Sequence, residues 1–159
     1  ALGVAPKEKL PIMAKVVADR GGEGFAFRGD DGIDELTLAT TSTVIQIKNG
    51  EMTTHVFDPQ EIGLELSPLS ALVGGTPDIN AKIIRRVFAG EEGPVREAIL
   101  LNAAIAIAAF KGDFHLGLNQ QIANGYVLAK QAIDSGKAED LLEKWSQLTQ
   151  ELSPANKSK

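Results

Sequence analysis

The sequence contains no cysteine, which excludes disulfide bonds and thiolate metal ligands. Aromatic residues make up only 5% of the chain, so its core has to be built mainly from aliphatic side chains. Basic runs are also scarce, because Arg85-Arg86 is the longest one and the formal net charge is −5. Nucleic-acid binding usually requires a basic face, and we therefore expect no nucleic-acid partner.

Long apolar runs are missing as well. The longest one extends from Ala98 to Phe110, contains Asn102 and is too short to span a bilayer. No secretory signal is recognisable at the start. We expect a cytoplasmic protein without a membrane partner. Its 159 residues, of which 43% are hydrophobic, are enough for one domain with a core.

The first part of the chain predicts a helix followed by strands. Leucine, methionine, alanine and valine recur at spacings of three and four between residues 6 and 20, which predicts a helix. A strand is expected from Gly24, and the threonine-rich stretch 37–43 favours extended chain. Asn49-Gly50 stands between two further extended runs and predicts a β-hairpin with a type I′ turn at a sheet edge.

The second part predicts four helices, at about residues 77–89, 94–110, 119–134 and 137–152. In the last helix, the spacing suggests that four apolar side chains face inward, namely Leu141, Leu142, Trp145 and Leu148. Strands followed by helices indicate a sheet that is covered by helices. We expect one α/β portion over residues 1–152 and a polar tail over residues 153–159.

Four carboxylates are concentrated just after the predicted strand that starts at Gly24, namely Asp30, Asp31, Asp34 and Glu35. Gly29 precedes this acidic run and Gly32 interrupts it, as is typical of a tight turn. Coulomb repulsion disfavours such a cluster unless water or a cation lies among its oxygens. From the residues alone, the run is either a solvated acidic turn or a site for Mg²⁺, which binds hard oxygen ligands.

Other candidate residues favour structural roles. His55 and His115 lack metal-ligand spacing to any partner. Gly74-Gly75 precedes a predicted helix and could cradle an anion, although a tight connection is the better interpretation. Asn102 lies in an apolar helix and is expected to lock that helix against its neighbour. Three arginines are expected to be solvated helix-face charges, namely Arg85, Arg86 and Arg96. No catalytic residue is identified.

Several sequence blocks together resemble one enzyme family. They include Asp31-Gly-Ile-Asp-Glu-Leu-Thr37, Gly74-Gly-Thr-Pro-Asp-Ile-Asn-Ala81, Ala89-Gly-Glu-Glu-Gly-Pro94 and Leu101-Asn-Ala-Ala104. Their order along residues 3–145 resembles that of the anthranilate phosphoribosyltransferases, and most closely that of actinobacterial members. The resemblance implies the C-terminal portion of the large α/β domain of a nucleoside phosphorylase/phosphoribosyltransferase-type fold, with a mixed sheet, an edge hairpin and covering helices.

The resemblance also implies a function. In this family, the amine of anthranilate attacks C1′ of phosphoribosyl pyrophosphate, and pyrophosphate leaves during a step of tryptophan biosynthesis. An adjacent Asp-Glu pair holds Mg²⁺ on the diphosphate, and the matching pair here is Asp34-Glu35. The expected cofactor is Mg²⁺, the expected substrates are phosphoribosyl pyrophosphate and anthranilate, and the complete enzyme is expected to be a homodimer.

Two departures from the family pattern limit this interpretation. Arg28-Gly29 stands where the family usually has His-Gly. The glycine-rich pyrophosphate loop, the anthranilate-binding residues and the N-terminal helical domain of the family are not in this sequence, so its substrate-binding residues stay unknown. We expect a C-terminal half that is inactive alone and needs an N-terminal half. The alternatives are a non-catalytic paralogue or assembly fragment, and a related transferase or phosphorylase with another acceptor.

Overall fold

A computed structural model of the protein describes residues 1–153. The predicted polar tail therefore lies, except for its first residue, outside the described part of the chain. The chain divides into two compact units. The first unit consists of residues 1–73 and 92–129, and the second consists of residues 74–91 and the chain from residue 130 onward.

The first unit contains a four-stranded mixed sheet in the order β1-β2-β3-β4. Its strands are β1 (Leu2–Gly3), β2 (Gly24–Gly29), β3 (Ser42–Lys48) and β4 (Glu51–Phe57). β1 runs parallel to β2, whereas β3 pairs antiparallel with both β2 and β4. The predicted α/β class, the mixed sheet and the hairpin at the sheet edge are confirmed.

The hairpin turn has the predicted geometry. Asn49 and Gly50 both have positive φ, at 51° and 78°, as a type I′ turn requires. The prediction of extended chain over residues 37–43 is wrong for most of that stretch, because β3 begins only at Ser42. Residues 30–41 instead form a long loop between β2 and β3, and hydrogen bonds to side chains replace the sheet pairing that would have extended the strand.

Alternation along β2 and β3 divides the core between the two faces of the sheet. All six residues of β2 are buried, as expected for an inner strand with neighbours on both sides. One face belongs to a cluster that includes Phe25, Phe27, Val44, Leu101, Ile105 and Ile122. The opposite face belongs to a second cluster, Val4, Leu10, Ala14, Ala18, Ala26, Ile45 and Ile47. The unit is thus a sheet between two helical layers.

These layers are formed by α1 (Leu10–Asp19) on one face, and by α3 (Pro94–Lys111) and the first part of α4 (Leu118–Asp134) on the other. Short 3₁₀ turns occur at Lys7–Lys9, Pro59–Ile62 and Leu69–Leu72. The Asp58 side chain accepts a hydrogen bond from the Gln60 N–H and so caps the second of these turns. α3 is less enclosed than its composition suggests, because Phe110 is 90% exposed.

The second unit contains α2 (Pro77–Phe88), the end of α4 and α5 (Lys137–Glu151). An ion pair joins Arg85 of α2 to Glu143 of α5. The prediction for α5 is wrong for Leu141, Trp145 and Leu148, which are all more than half exposed. Together with Phe88 they line an open apolar groove of about 560 Å³, because within residues 1–153 no further layer of this unit packs on that face of α5. Within residues 1–153, four α-helices follow residue 75, as predicted.

Candidate metal site in the loop between strands β2 and β3

The acidic run lies in the loop of residues 30–41, at the end of the buried strand β2. The Asp30 N–H donates to the Thr41 carbonyl at 2.9 Å and closes the base of the loop. Inside the loop, the Gly29 N–H donates to the Ile33 carbonyl at 3.0 Å. The acidic residues therefore lie on a compact folded segment.

Asp30 is held by side chains of the loop and of the neighbouring strands. Its carboxylate accepts hydrogen bonds from the hydroxyls of Thr41 at 2.6 Å and Thr43 at 2.8 Å. Arg28 lies 3.7 Å from the same carboxylate, and its Nε donates to the Ala5 carbonyl at 3.0 Å. Arg28 thus contributes a nearly buried positive charge beneath this part of the loop.

Asp31 is also engaged within the protein. Its carboxylate accepts a hydrogen bond from the Thr37 hydroxyl at 2.5 Å, and the Ile33 N–H lies 3.4 Å from its other oxygen. The preceding strand makes room for this arrangement, since a Cβ at Gly29 would lie 2.4 Å from the Asp31 carboxylate. Asp30 and Asp31 are therefore acids whose oxygens already have donors.

Asp34 and Glu35 differ from these two acids. Both side chains are exposed, and within residues 1–153 neither carboxylate has a hydrogen bond or ion pair with the protein. Adjacent carboxylates that face water repel one another unless a cation or solvent intervenes. The structure thus divides the four acids of the run into a held pair and an open pair.

The backbone beneath the open pair is held from both sides. A Cβ at Gly3 would lie only 1.8 Å from the Asp34 carbonyl oxygen, so the loop packs directly on the backbone of β1. On the other side, Asn102 of α3 binds the peptide groups of Leu36: it accepts from the Leu36 N–H and donates to the Leu36 carbonyl, both at 2.9 Å. The predicted locking role of Asn102 is confirmed.

The donor set of the open pair suits Mg²⁺. This ion is usually bound by one or two protein carboxylates, and phosphate oxygens of a substrate and water complete its octahedral shell. No group of three or more histidine or acidic side chains within residues 1–153 is arranged to hold a metal. Asp34 and Glu35 could therefore supply two of the ligands, but not a closed protein site.

The remaining candidate residues stay outside this site. Gly75 is bound by Asn80, which accepts from its N–H at 2.8 Å and donates to its carbonyl at 3.2 Å. This arrangement supports the tight connection rather than an anion cradle. His115 is exposed, whereas His55 is partly buried on β4 with its Nε2 shielded from solvent.

The three arginines do not behave alike. Arg85 and Arg86 are exposed and form ion pairs, as their positions on a helix face predicted. The prediction for Arg96 is wrong, because its side chain is 1% exposed and its Nε lies 3.4 Å from Glu92. Charge alone suggested a solvated residue, and the sequence carries no signal that α3 begins with a buried arginine.

A second cleft near the start of α3 contains the polar residues Glu65, Ser67, Glu97 and Tyr126 and has a volume of about 460 Å³. Sequence reasoning did not single it out. The Tyr126 hydroxyl donates to the Glu97 carboxylate, and partial burial together with this bond raises the pKa of Tyr126. Because Glu97 accepts this bond, the side chains of this cleft present no open carboxylate pair comparable to Asp34 and Glu35.

The family model described as "Glycosyl transferase family, a/b domain" matches residues 1–139. The chain belongs to this glycosyl transferase family. No helix within residues 1–153 of this family member is both long and apolar enough to cross a membrane.

Among its relatives, the anthranilate phosphoribosyltransferase of Rhodococcus opacus (strain B4) is 48% identical over 93% of this chain and 41% of its own length. The anthranilate phosphoribosyltransferase of Thermus thermophilus has a solved structure with a TM-score of 0.78 and 34% identity, covering 91% of this chain and 41% of that one. The family resemblance inferred from the sequence blocks is thereby confirmed.

Two solved structures of the anthranilate phosphoribosyltransferase from Saccharomyces cerevisiae are also similar, one in complex with PRPP and Mg and one with 4-fluoroanthranilate. Each has a TM-score of 0.77 and 31% identity, and covers 89% of this chain and 40% of the yeast chain. The present chain thus spans about two fifths of the length of the relatives that it matches.

Proposed function

We propose that this chain is the metal-binding portion of an enzyme that transfers the phosphoribosyl group from phosphoribosyl pyrophosphate to anthranilate. The observation that carries this proposal is the open carboxylate pair, Asp34 and Glu35, on a loop whose other two acids are already bound by the protein. A similar protein of the same fold was solved in complex with PRPP and Mg, which agrees with the ligand chemistry of this pair.

The proposed role of the pair is electrostatic. The substrate is a polyanion and the chain carries a net charge of −5, so the two would repel each other without a cation between them. When bound, Mg²⁺ would supply positive charge next to the oxygens of the leaving pyrophosphate. Asp34 and Glu35 would hold it, and the rigid loop backbone would set where it lies relative to the diphosphate.

Other parts of the reaction require groups that we do not find within residues 1–153. Pyrophosphate departure needs donors around the phosphate oxygens, commonly the N–H groups of a glycine-rich loop. Gly74-Gly75 does not offer them, since Asn80 already occupies the Gly75 peptide groups. We propose that the region present in the longer relatives supplies the phosphate and acceptor sites, and that the complete enzyme is a cytoplasmic homodimer.

The test is complementation. The chain is expressed alone and with the N-terminal portion of a relative such as the Rhodococcus opacus enzyme, and the combination is called the assembled enzyme below. Consumption of anthranilate is followed by its fluorescence in the presence of phosphoribosyl pyrophosphate and Mg²⁺. We expect turnover only for the assembled enzyme, because orientation and phosphate binding supply much of the rate.

Two controls make the outcome interpretable. The N-terminal portion alone must be inactive, and chelation with EDTA must abolish the turnover of the assembled enzyme. Full turnover by the isolated chain would contradict the half-enzyme proposal. An assembled enzyme that forms a stable complex but transfers no phosphoribosyl group to anthranilate would contradict the proposed reaction.

A further inference from the structure

The contact between Asn102 and Leu36 joins the interior of α3 to the loop position directly after Glu35. The two residues lie 66 positions apart in the sequence, and the bonds run in both directions at 2.9 Å. The Asn102 amide donates a third hydrogen bond to the Ala98 carbonyl one turn earlier on α3, at 3.0 Å. This third bond fixes the orientation of the side chain on its own helix.

The position of this contact matters because, within residues 1–153, neither open carboxylate has a side-chain partner. The carboxylates of Asp30 and Asp31, by comparison, accept hydrogen bonds from threonine hydroxyls. The orientation of Asp34 and Glu35, in contrast, depends on the backbone that carries them. That backbone is packed on Gly3 at Asp34 and is bound by Asn102 at Leu36, whose side chain is 1% exposed.

We propose that Asn102 is a positioning residue for the Asp34–Glu35 pair, which it holds in the geometry that binds the divalent cation. This inference rests on the proposed function. Groups that orient metal ligands through hydrogen bonds typically change metal affinity by about 10- to 100-fold when they are removed. A residue that only joined α3 to the loop would lower stability without a selective loss of metal affinity.

The chain provides a matched control for this distinction. Asn80 makes the same two-way contact with the peptide groups of a loop residue, Gly75, at 2.8 and 3.2 Å. It lies in the second compact unit, whereas Asn102 and the acidic loop lie in the first. Replacing either asparagine by leucine preserves most of the side-chain volume and removes the same kind of contact.

The experiment measures Mn²⁺ binding to the assembled enzyme by electron paramagnetic resonance, in the presence of phosphoribosyl pyrophosphate, together with thermal melting without metal. We expect Asn102→Leu to weaken Mn²⁺ binding about 10- to 100-fold. Asn80→Leu should leave the affinity unchanged even if it lowers the melting temperature as much. Asn102→Asp retains the acceptor for the Leu36 N–H but loses both donated bonds and places a carboxylate oxygen against the carbonyls of Leu36 and Ala98, so it should weaken binding as well.

Each outcome decides the question. Folded Asn102 variants with wild-type Mn²⁺ affinity overturn the inference, and so does an Asn80→Leu variant with an equal loss of affinity. If neither Asn102 variant folds, the residue serves stability and the inference is rejected. If the wild type binds no Mn²⁺, or Asp34→Asn binds it as well as the wild type does, the proposed metal site itself fails and the inference fails with it.

Discussion

The two segments that connect β3 to its neighbouring strands differ in how their conformation is stabilised. At one end, Asn49-Gly50 links β3 to β4 in a turn whose two residues have the positive φ values that it requires. At the other end, residues 30–41 link β2 to β3 in a loop that depends on partners far away in the sequence, including Gly3 and Asn102. One connection is specified locally, and the other is specified by the assembled unit.

The difference shows how a candidate site can be rigid without being regular. The turn needs only residues that tolerate left-handed backbone conformations. The loop has no repeating hydrogen-bond pattern, yet threonine hydroxyls, glycine contacts and an asparagine side chain restrain it at several points. The loop contacts reach Asp34 and Glu35 only through the backbone, and the carboxylates of these two residues remain open.

The largest expected effect is at the open pair itself. In the assembled enzyme, Asp34→Asn or Glu35→Gln removes one negative charge from the proposed metal site at nearly constant size. We expect turnover with Mg²⁺ to fall by on the order of 100-fold, because charge stabilisation of the leaving pyrophosphate is weakened. The thermal midpoint should remain near that of wild type, because these carboxylates have no hydrogen bond or ion pair within residues 1–153. Steady-state kinetics over a range of Mg²⁺ concentrations measures the effect.

Asp30→Asn is the control at a held acid of the same loop. It should lower stability by about 1 kcal/mol, because the hydroxyls of Thr41 and Thr43 lose a charged acceptor. Its effect on turnover should be much smaller than that of Asp34→Asn. Equal losses of turnover at Asp30, Asp34 and Glu35 would show that the acidic run acts only as a general negative field.

The next largest effect is expected at the contact between β1 and the loop. Gly3→Ala places a methyl group where the Asp34 carbonyl oxygen now lies, so the backbone has to move. We expect a loss of stability of about 1–3 kcal/mol by urea denaturation, as is typical of overpacking. Gly117→Ala is the control, since no atom lies within 4 Å of a Cβ at that position. Equal stability of the two variants would mean that the backbone at Asp34 can move to accommodate the methyl group without a loss in the free energy of unfolding.

The smallest effect is expected at the locally specified turn. Gly50→Val forces a β-branched residue into positive φ and should cost roughly 1 kcal/mol or more in the free energy of unfolding. Asparagine tolerates this conformation, so Gly50→Asn should leave the free energy of unfolding nearly unchanged. In the assembled enzyme, neither change should alter Mn²⁺ affinity, because the turn lies at the opposite end of β3 from the acidic loop. A change in affinity would mean that the two connections are coupled.

Much of the fold was predictable because its signals are local. The hairpin followed from Asn49-Gly50 between two extended runs, and α2 begins at Pro77 and ends before Gly90. Prediction failed where burial depended on neighbours. Leu141 and Trp145 have helical spacing, but spacing alone does not show whether another layer covers that face of α5.

For the candidate site, the sequence by itself determined that four acids and Gly32 follow a strand, and the resemblance to a family motif indicated Asp34-Glu35 as the metal pair. Only the tertiary structure separated these acids into held and open ones. The hydroxyls of Thr37, Thr41 and Thr43 bind the carboxylates of Asp30 and Asp31. The backbone next to the open pair is bound by Asn102, which lies 66 positions after Leu36 in the sequence. Such partners are chosen by the packing of strands and helices in three dimensions, which no local pattern of residue types encodes.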